Sequence, residues 1–338
     1  MRECTVKLPS ETMAGKRKFD EQIAALEALR NVPEDRRVDP LRKALGGKNN
    51  FITAKAADLI REFRVTALTP DLLAAFDRYF ENPEKSDPQC WAKNAISRAL
   101  AAFEHQEADV FLRGMRHIQL EPVWGGTSDT AGTLRATCAL ALVQCRSVSE
   151  VDLLKHLVDL LADSDKAVRT EVVRAIEQLG SSAASLLLRL RTVLGKDEPE
   201  VLGACYGGVL GIEGNSAIPW VSGFLKSHDE AAAEAALAIA GTRSVEAFDV
   251  LKNSLQKPLV DPWFRSVVLS AIALTRQPEA MDFLLDLVSD ASRDAEAAIE
   301  AILRSMPSDE IVERLESKVS RNPRLARVFA ANRSASNR

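Results

Sequence analysis

The sequence predicts an all-α solenoid of tandem helix pairs, and three observations support this fold class. Apolar residues make up 46% of the chain but aromatic residues only 5%, and Ala and Leu dominate over β-branched runs, which favours helices. A polar turn, a short Ala- and Leu-rich segment and a Gly, Pro or Ser break recur along the 338 residues. Apolar positions within these segments follow helical spacing.

The clearest repeat unit spans residues 151–180. Its first half, 151–161, has apolar residues at helical spacing, and the polar turn at 163–165 supplies an N-cap for a second helix. Gly180 ends that second helix. Its apolar stripe consists of Val168, Val172, Ile176 and Leu179. Such a helix pair is too small to bury its apolar face alone, so neighbouring pairs must stack around a shared core.

The period of the repeat predicts about eight helix pairs. One position near the start of each predicted second helix is here called the anchor position. Successive anchor positions are at most about 42 residues apart, and about 32 residues apart in the second half of the chain. The anchor positions are Lys55, Lys93, Arg135, Arg169, Leu202, Ala233, Arg265 and Ala297. The first half of the array is therefore stretched by longer connections than the second half.

Two turns share a short pattern in which an acid precedes an apolar and then a basic residue. The pattern is Asp165-x-x-Val168-Arg169 in one turn and Asp261-Pro262-x-Phe264-Arg265 in another, with Ala-rich second helices after them. In this the chain resembles the HEAT-repeat family, and within it the short bacterial HEAT-like repeats of the phycobilisome-lyase type, from about Val38 to Met306. The resemblance implies a right-handed α-α superhelix, and it implies that basic anchors pair with turn acids.

The ends of the chain differ from the repeats, as terminal repeats do. Residues 1–36 are predicted to form an N-terminal tail and a capping helix, and residues 37–306 form the HEAT-like array. Residues 307–338 are predicted to contain C-terminal capping helices and a frayed tail.

Charge and cysteine content limit the possible partners and compartments. The formal net charge of -4 and the pI near 5.8 argue against a protein that binds nucleic acid over its whole surface. The five cysteines are scattered without a CxxC pair, which fits a reducing compartment. No signal-peptide or membrane-spanning stretch is evident, so the sequence predicts a cytoplasmic protein with no membrane association.

No arrangement of chemically active residues stands out. The four histidines include no pair at i, i+4 spacing, and neither a phosphate loop nor a nucleophile elbow is present. We therefore expect no metal, no cofactor and no catalytic activity. An alternative is a DNA-binding enzyme of the HEAT-like alkylpurine glycosylase kind, for which Trp91, Trp124 and Asp129 supply suitable residue types without a contiguous motif.

Two features allow both a structural and a binding interpretation. The basic anchors either form a ladder of ion pairs with turn acids or line a binding surface, and we favour the ladder because a half-buried cation needs a partner. The insertion at residues 121–132 carries Trp124, which either plugs a groove between repeats or forms a binding edge. We favour the plug, because Trp is highly buried on average.

The predicted function is a non-catalytic scaffold that binds a protein or peptide on its concave, second-helix surface. Residues expected to be exposed on that surface, together with the two loop tryptophans, form the candidate partner-binding set. The set is Trp124, Lys93, Arg98, Arg135, Glu171, Arg174, Glu177 and Trp263.

Overall fold

The computed structural model describes residues 10–256 and 260–336. Over these residues the chain is a succession of α-helices with one two-stranded antiparallel hairpin, so the predicted all-α repeat class is confirmed. The helices are α1 Ser10–Ala28, α2 Val38–Leu45, α3 Asn50–Phe63, α4 Thr69–Arg78, α5 Pro83–Ser86, α6 Trp91–Ala102, α7 Ala108–Met115, α8 Gly132–Leu142, α9 Glu150–Leu160, α10 Lys166–Leu179, α11 Ser182–Leu194, α12 Pro199–Glu213, α13 Ile218–Val221, α14 Glu230–Gly241, α15 Val245–Leu255, α16 Pro262–Leu274, α17 Pro278–Ser289, α18 Ala295–Arg304, α19 Asp309–Val319 and α20 Pro323–Ser336. The strands are β1 Leu120–Val123 and β2 Gly126–Asp129.

The chain divides into two compact units, Met1–Val172 and Val173–Arg338. In unit 1 the second helices α3, α6 and α8 pack side by side in chain order, and each also packs on a first helix of its own pair. Ile60, Leu100 and Leu142 are among the side chains buried between them. The first unit therefore has the layered core that stacked helix pairs require.

In unit 2 the helices α12, α14, α16, α18 and α20 pack in the same consecutive manner. Most of these helix pairs are joined by short turns in which a side chain caps the next helix. The side chains that accept a hydrogen bond from a main-chain N–H two or three residues on include Ser181, Asp229, Ser244, Asp261, Ser308 and Asn322.

The eight second helices expected from the period are all present, as α3, α6, α8, α10, α12, α14, α16 and α18. The predicted terminal helices are also present, and α20 packs on both α18 and α19, so the last pair continues the packing of the array. At the other end α1 begins at Ser10. Residues 1–9 of the predicted tail, residues 257–259 before α16, and residues 337–338 lie outside the described residues.

Helices α11 and α12 approach closely at a glycine. A Cβ atom at Gly208 would lie 2.7 Å from Cδ1 of the buried Leu188, whereas a Cβ at the adjacent Gly207 would meet nothing within 4 Å. The close approach of α11 and α12 therefore depends on Gly208 and not on Gly207.

Candidate functional site

The insertion in the third helix pair forms a short β-hairpin. Its strands pair in the register Leu120↔Asp129 to Val123↔Gly126, which leaves Trp124 and Gly125 as the two-residue loop. Gly125 has a φ of 90°, a conformation that glycine adopts without strain. The Trp124 side chain is fully exposed at the tip. The neighbouring apolar side chains Ile118, Leu120 and Val123 are each at least half exposed.

The base of the hairpin, formed by Gln119, Glu121, Asp129 and Thr130, is closely hydrogen-bonded. The Gln119 N–H donates to Asp129 Oδ1 (3.0 Å), and the Thr130 N–H donates to the Gln119 carbonyl (2.9 Å). Glu121 Oε1 accepts from the Thr130 hydroxyl (2.8 Å) and from the Gln89 N–H (2.6 Å). Because Gln89 lies just before α6, the last bond fixes the hairpin base against the start of that helix.

The buried Gln119 side chain links the hairpin to the core of unit 1. Its Nε2 donates to the Asp87 carbonyl (2.9 Å), and its Oε1 accepts from Lys93 Nζ (2.9 Å) and from the Cys90 thiol (3.2 Å). Burial raises the pKa of the Cys90 thiol to about 11, so the sulfur remains protonated and donates this bond. Every polar group of the amide therefore has a partner inside the protein.

Lys93 and Asp87 form a fully buried ion pair beneath Gln119. Nζ lies 3.2 Å from Asp87 Oδ2 and donates hydrogen bonds to the Tyr79 carbonyl (3.1 Å) and to Gln119 Oε1 (2.9 Å). Asp87 in turn accepts the main-chain N–H groups of Ala92 (2.8 Å) and Lys93 (3.0 Å) at the start of α6. A charge pair is tolerated without water only when it is satisfied in this way.

A second charged cluster holds the other side of the hairpin base. Arg135 makes two hydrogen bonds to Asp163 (2.7 and 3.0 Å), one to Asp129 Oδ2 (2.6 Å) and one to the His117 carbonyl (3.0 Å). Burial raises the pKa of Asp129, but N–H bonds from Gln119 and Ala131 and the Arg135 guanidinium outweigh it, so the pKa lies below its ordinary value. Asp129 is consequently an ionised structural acceptor.

A row of three aromatic side chains, Phe19, Phe51 and Trp91, lies on the same unit. The ring centroids of Phe19 and Phe51 are 5.5 Å apart, and those of Phe51 and Trp91 are 5.1 Å apart. Phe51 and Trp91 are both more than a third exposed, at the N-terminal ends of α3 and α6. Trp91 is two residues from Gln89, whose N–H donates to Glu121 in the hairpin base. The aromatic row and the hairpin base therefore both lie beside the start of α6.

The structure corrects the predicted exposure of two candidate residues. Lys93 and Arg135 are buried, because each is surrounded by the carboxylates and carbonyls described above, and neither can contact a partner directly. Arg98 is about a third exposed and pairs with Asp58 (3.3 Å). On α10, Arg174 is exposed while Glu171 and Glu177 are half-buried.

The preferred interpretation of Trp124 as a plug is wrong. The chain at 120–129 pairs with itself as a hairpin, which carries the tryptophan away from the helices instead of back between them. Trp263 is about half exposed in the first turn of α16, where Asp261 caps the helix, and it belongs to the other unit.

The predicted pairing of basic anchors with turn acids is confirmed at Lys93, Arg135 and Arg265. Lys93 pairs with Asp87, Arg135 with Asp163, and Arg265 makes two hydrogen bonds of 2.6 Å to Asp294. Arg169 donates to the Asp163 carbonyl (2.6 Å), and Lys55 pairs with Glu27 of α1.

Sequence reasoning missed Gln119, Asp87 and Glu121, which connect the hairpin to the core. Among the described residues no group of three or more His, Cys, Asp and Glu side chains is placed to hold a metal ion. None of the described helices is both long and apolar enough to cross a membrane. No protein-family model matches the chain, and no curated protein is significantly similar to it.

Proposed function

We propose that this chain is a non-catalytic scaffold of the HEAT-repeat type, and that it binds a protein or peptide through the Trp124 hairpin. The observation that carries the proposal is a fully exposed tryptophan at the tip of a hairpin whose base is fixed by buried hydrogen bonds. Tryptophan is enriched among the residues that dominate binding energy at protein interfaces.

The fixed base favours binding because little conformational freedom remains to be lost on association. An exposed loop that ordered only in the complex would spend part of the interaction energy on that ordering. Here Gln119, Glu121 and Asp129 already hold the strands in register. The hairpin thus presents its indole in a defined position before the partner arrives.

The surface around the indole indicates the chemistry of the partner. Leu120 and Val123 in the first strand, and Ile118 just before it, are exposed aliphatic side chains. Phe51 and Trp91 add exposed aromatic side chains beside the start of α6. Several large apolar side chains exposed around one loop are typical of a binding site. We infer a partner that offers an apolar pocket for the indole. The Asp129 carboxylate already accepts hydrogen bonds from Gln119, Ala131 and Arg135, so it has a structural role.

The test compares Trp124→Ala with Trp263→Ala. Both remove an exposed tryptophan, but only the first is on the hairpin. In affinity capture from cell extract followed by titration of the captured protein, we expect Trp124→Ala to weaken binding by roughly 30-fold or more, as for a dominant interface residue. Trp263→Ala should bind as the wild-type chain does.

Thermal unfolding provides the control for folding. The Trp124 side chain is fully exposed, so its removal should leave the melting temperature of the protein unchanged. If the Trp124→Ala chain captures the same proteins with the same affinity as wild type, the hairpin is not the binding site and the proposal is wrong.

A further inference from the structure

Helix α11 has its large aliphatic side chains on the outside. Its buried face consists mainly of small or polar residues and includes one leucine. Those buried residues are Ala184, Ser185, Leu188 and Thr192. The outward side chains Leu186, Leu190, Val193 and Leu194 are between 56% and 66% exposed. A surface helix normally has the reverse arrangement, with the large apolar residues toward the core.

The outward face of α11 carries no charge. Its remaining exposed positions are Ser182 and Ala183. The two arginines of the helix lie at the sides and are already bound within the same unit: Arg189 Nε donates to Glu213 (2.7 Å), and Arg191 pairs with Asp197. An uncharged apolar face can meet an identical face without repulsion between like charges.

The spacing of the outward residues makes this face complementary to itself. Ala183, Leu186, Leu190 and Val193 follow the 3-4-3 spacing of a coiled-coil seam. They also lie symmetrically about Leu188, and the flanking Ser182 and Leu194 continue that symmetry. In an antiparallel pair centred there, Leu186 meets Leu190 of the second copy, and the small residues at one end of the helix meet the large residues at the other.

From this symmetry we propose that α11 is a self-association surface, on which two copies of the chain pair antiparallel about a two-fold axis that passes between the exposed Leu186 and Leu190. A two-fold interface requires that one surface patch be complementary to itself, and the α11 face meets that requirement. The helix is fixed before pairing, because Ser181 Oγ accepts the Ala184 N–H (3.1 Å) at its start and Gly195, with a φ of 61°, ends it.

The proposal is independent of the Trp124 hairpin, and a charge-complementation experiment tests it. Leu186→Lys and Leu190→Glu each place a charge against an aliphatic side chain of the second copy, so each alone should weaken dimerisation by roughly 100-fold or more. When the two variants are mixed, they should form a heterodimer. The introduced lysine of one copy then faces the introduced glutamate of the other, and Leu190 of the first copy faces Leu186 of the second.

Dimerisation is measured by sedimentation equilibrium at about 1 to 200 µM chain. This range is chosen for a weak dimer, because the contact of one α11 helix with another buries less than the roughly 800 Å² per partner of a standard complex. We expect a dimer for wild type, monomers for each single variant, and a dimer for the mixture. Val245→Glu, at a half-exposed valine that starts α15, is the matched control and should remain dimeric.

The alternatives give different results. A wild-type chain that is monomeric over the whole range would overturn the proposal. Single variants that remain dimeric would place the contact elsewhere, and would also overturn it. A mixture that stays monomeric would overturn the antiparallel register, because parallel pairing sets the introduced lysine against a leucine. Circular dichroism melting confirms that the exposed substitutions leave the fold intact.

Discussion

The two units close their helix pairs in different ways. In unit 1 the anchor residues Lys93 and Arg135 are buried cations that donate to carbonyl groups near the ends of the preceding first helices, those of Tyr79 and His117. In unit 2 the anchors of α12, α14 and α18 are Leu202, Ala233 and Ala297, and short turns are closed by caps such as Asp229.

One anchor of unit 2 is basic, and its contacts show what accompanies a cation at the anchor position. Arg265 is a basic anchor, and it donates to the Leu255 carbonyl at the end of α15 (2.7 Å) and to Asp294. Lys93, Arg135 and Arg265 thus each bond a carbonyl group near the end of a first helix. The connection at each of these places is longer than the turn before α12 or α14, and it leaves that carbonyl beyond the reach of the next helix. A short turn needs only a capping side chain, and the anchor position can then be apolar.

The largest expected effect is on the buried pair of unit 1. Lys93→Met would leave Asp87 as a buried charge without its cation, which should lower the free energy of unfolding by about 3–5 kcal/mol. Urea unfolding followed by circular dichroism measures this. Lys55→Met is the matched control, because Lys55 is 29% exposed beside Glu27, and it should cost less than about 1 kcal/mol. Equal losses in the two variants would contradict the contrast between buried and exposed anchors.

A smaller effect tests the close packing of unit 2. Gly208→Ala would force its new methyl group against Leu188 and should lower the free energy of unfolding by about 1–3 kcal/mol. Gly207→Ala adds the same methyl group where space is open, and should raise the free energy of unfolding by about 0.5–1 kcal/mol, because alanine is the better helix former. The comparison fails if the two neighbouring substitutions shift the urea midpoint in the same direction.

The smallest expected effect is the pH dependence of the hairpin base. Burial raises the pKa of Glu121, but hydrogen bonds from Gln119, Gln89 and Thr130 outweigh it and leave the pKa below 4.5. The unfolded chain therefore binds the proton more readily, so this stabilisation is complete above about pH 4.5 and is lost as the pH falls through the lower, folded pKa.

Glu121→Gln removes that titration while the amide oxygen can still accept the same hydrogen bonds. The variant should show a shallower decline of the unfolding midpoint than wild type between pH 5 and roughly pH 3. Parallel pH profiles for the two proteins would show that Glu121 is not a stabilising carboxylate. Glu84→Gln, on an exposed side chain of α5, serves as the control and should leave the wild-type profile unchanged.

Most of the repeat could be predicted because its determinants are local. Helical spacing, a polar turn and a glycine or proline break lie within each period of about 32 residues, and they placed all eight second helices. The acid partners of Arg135 and Arg265 could also be anticipated, since turn acids recur at the same point of each repeat. The family resemblance itself remains a prediction.

The candidate site could not be predicted because its determinants are distant in the sequence. The Gly125-Gly126 pair indicates a turn, but Pro122 disfavours a strand before it, so the local sequence does not establish a hairpin at this insertion. Its register depends on Gln119, which reaches Lys93 across 26 residues and the Asp87 carbonyl across 32. The burial of Lys93 follows from the same contacts, and only the folded chain brings them together.

The hairpin keeps its structural bonds and its exposed indole in separate places. The side-chain hydrogen bonds that fix it are made by Gln119, Glu121, Asp129 and Thr130 at the base, whereas Val123 to Gly126 at the tip are exposed. Substitutions of Val123 and Trp124 can therefore accumulate at little cost to folding, whereas Gly125, with its φ of 90°, has to remain glycine. If the hairpin binds a partner as proposed, a lineage or a designer could exchange Val123 and Trp124 to change which partner is recognised, while the supporting array stays the same.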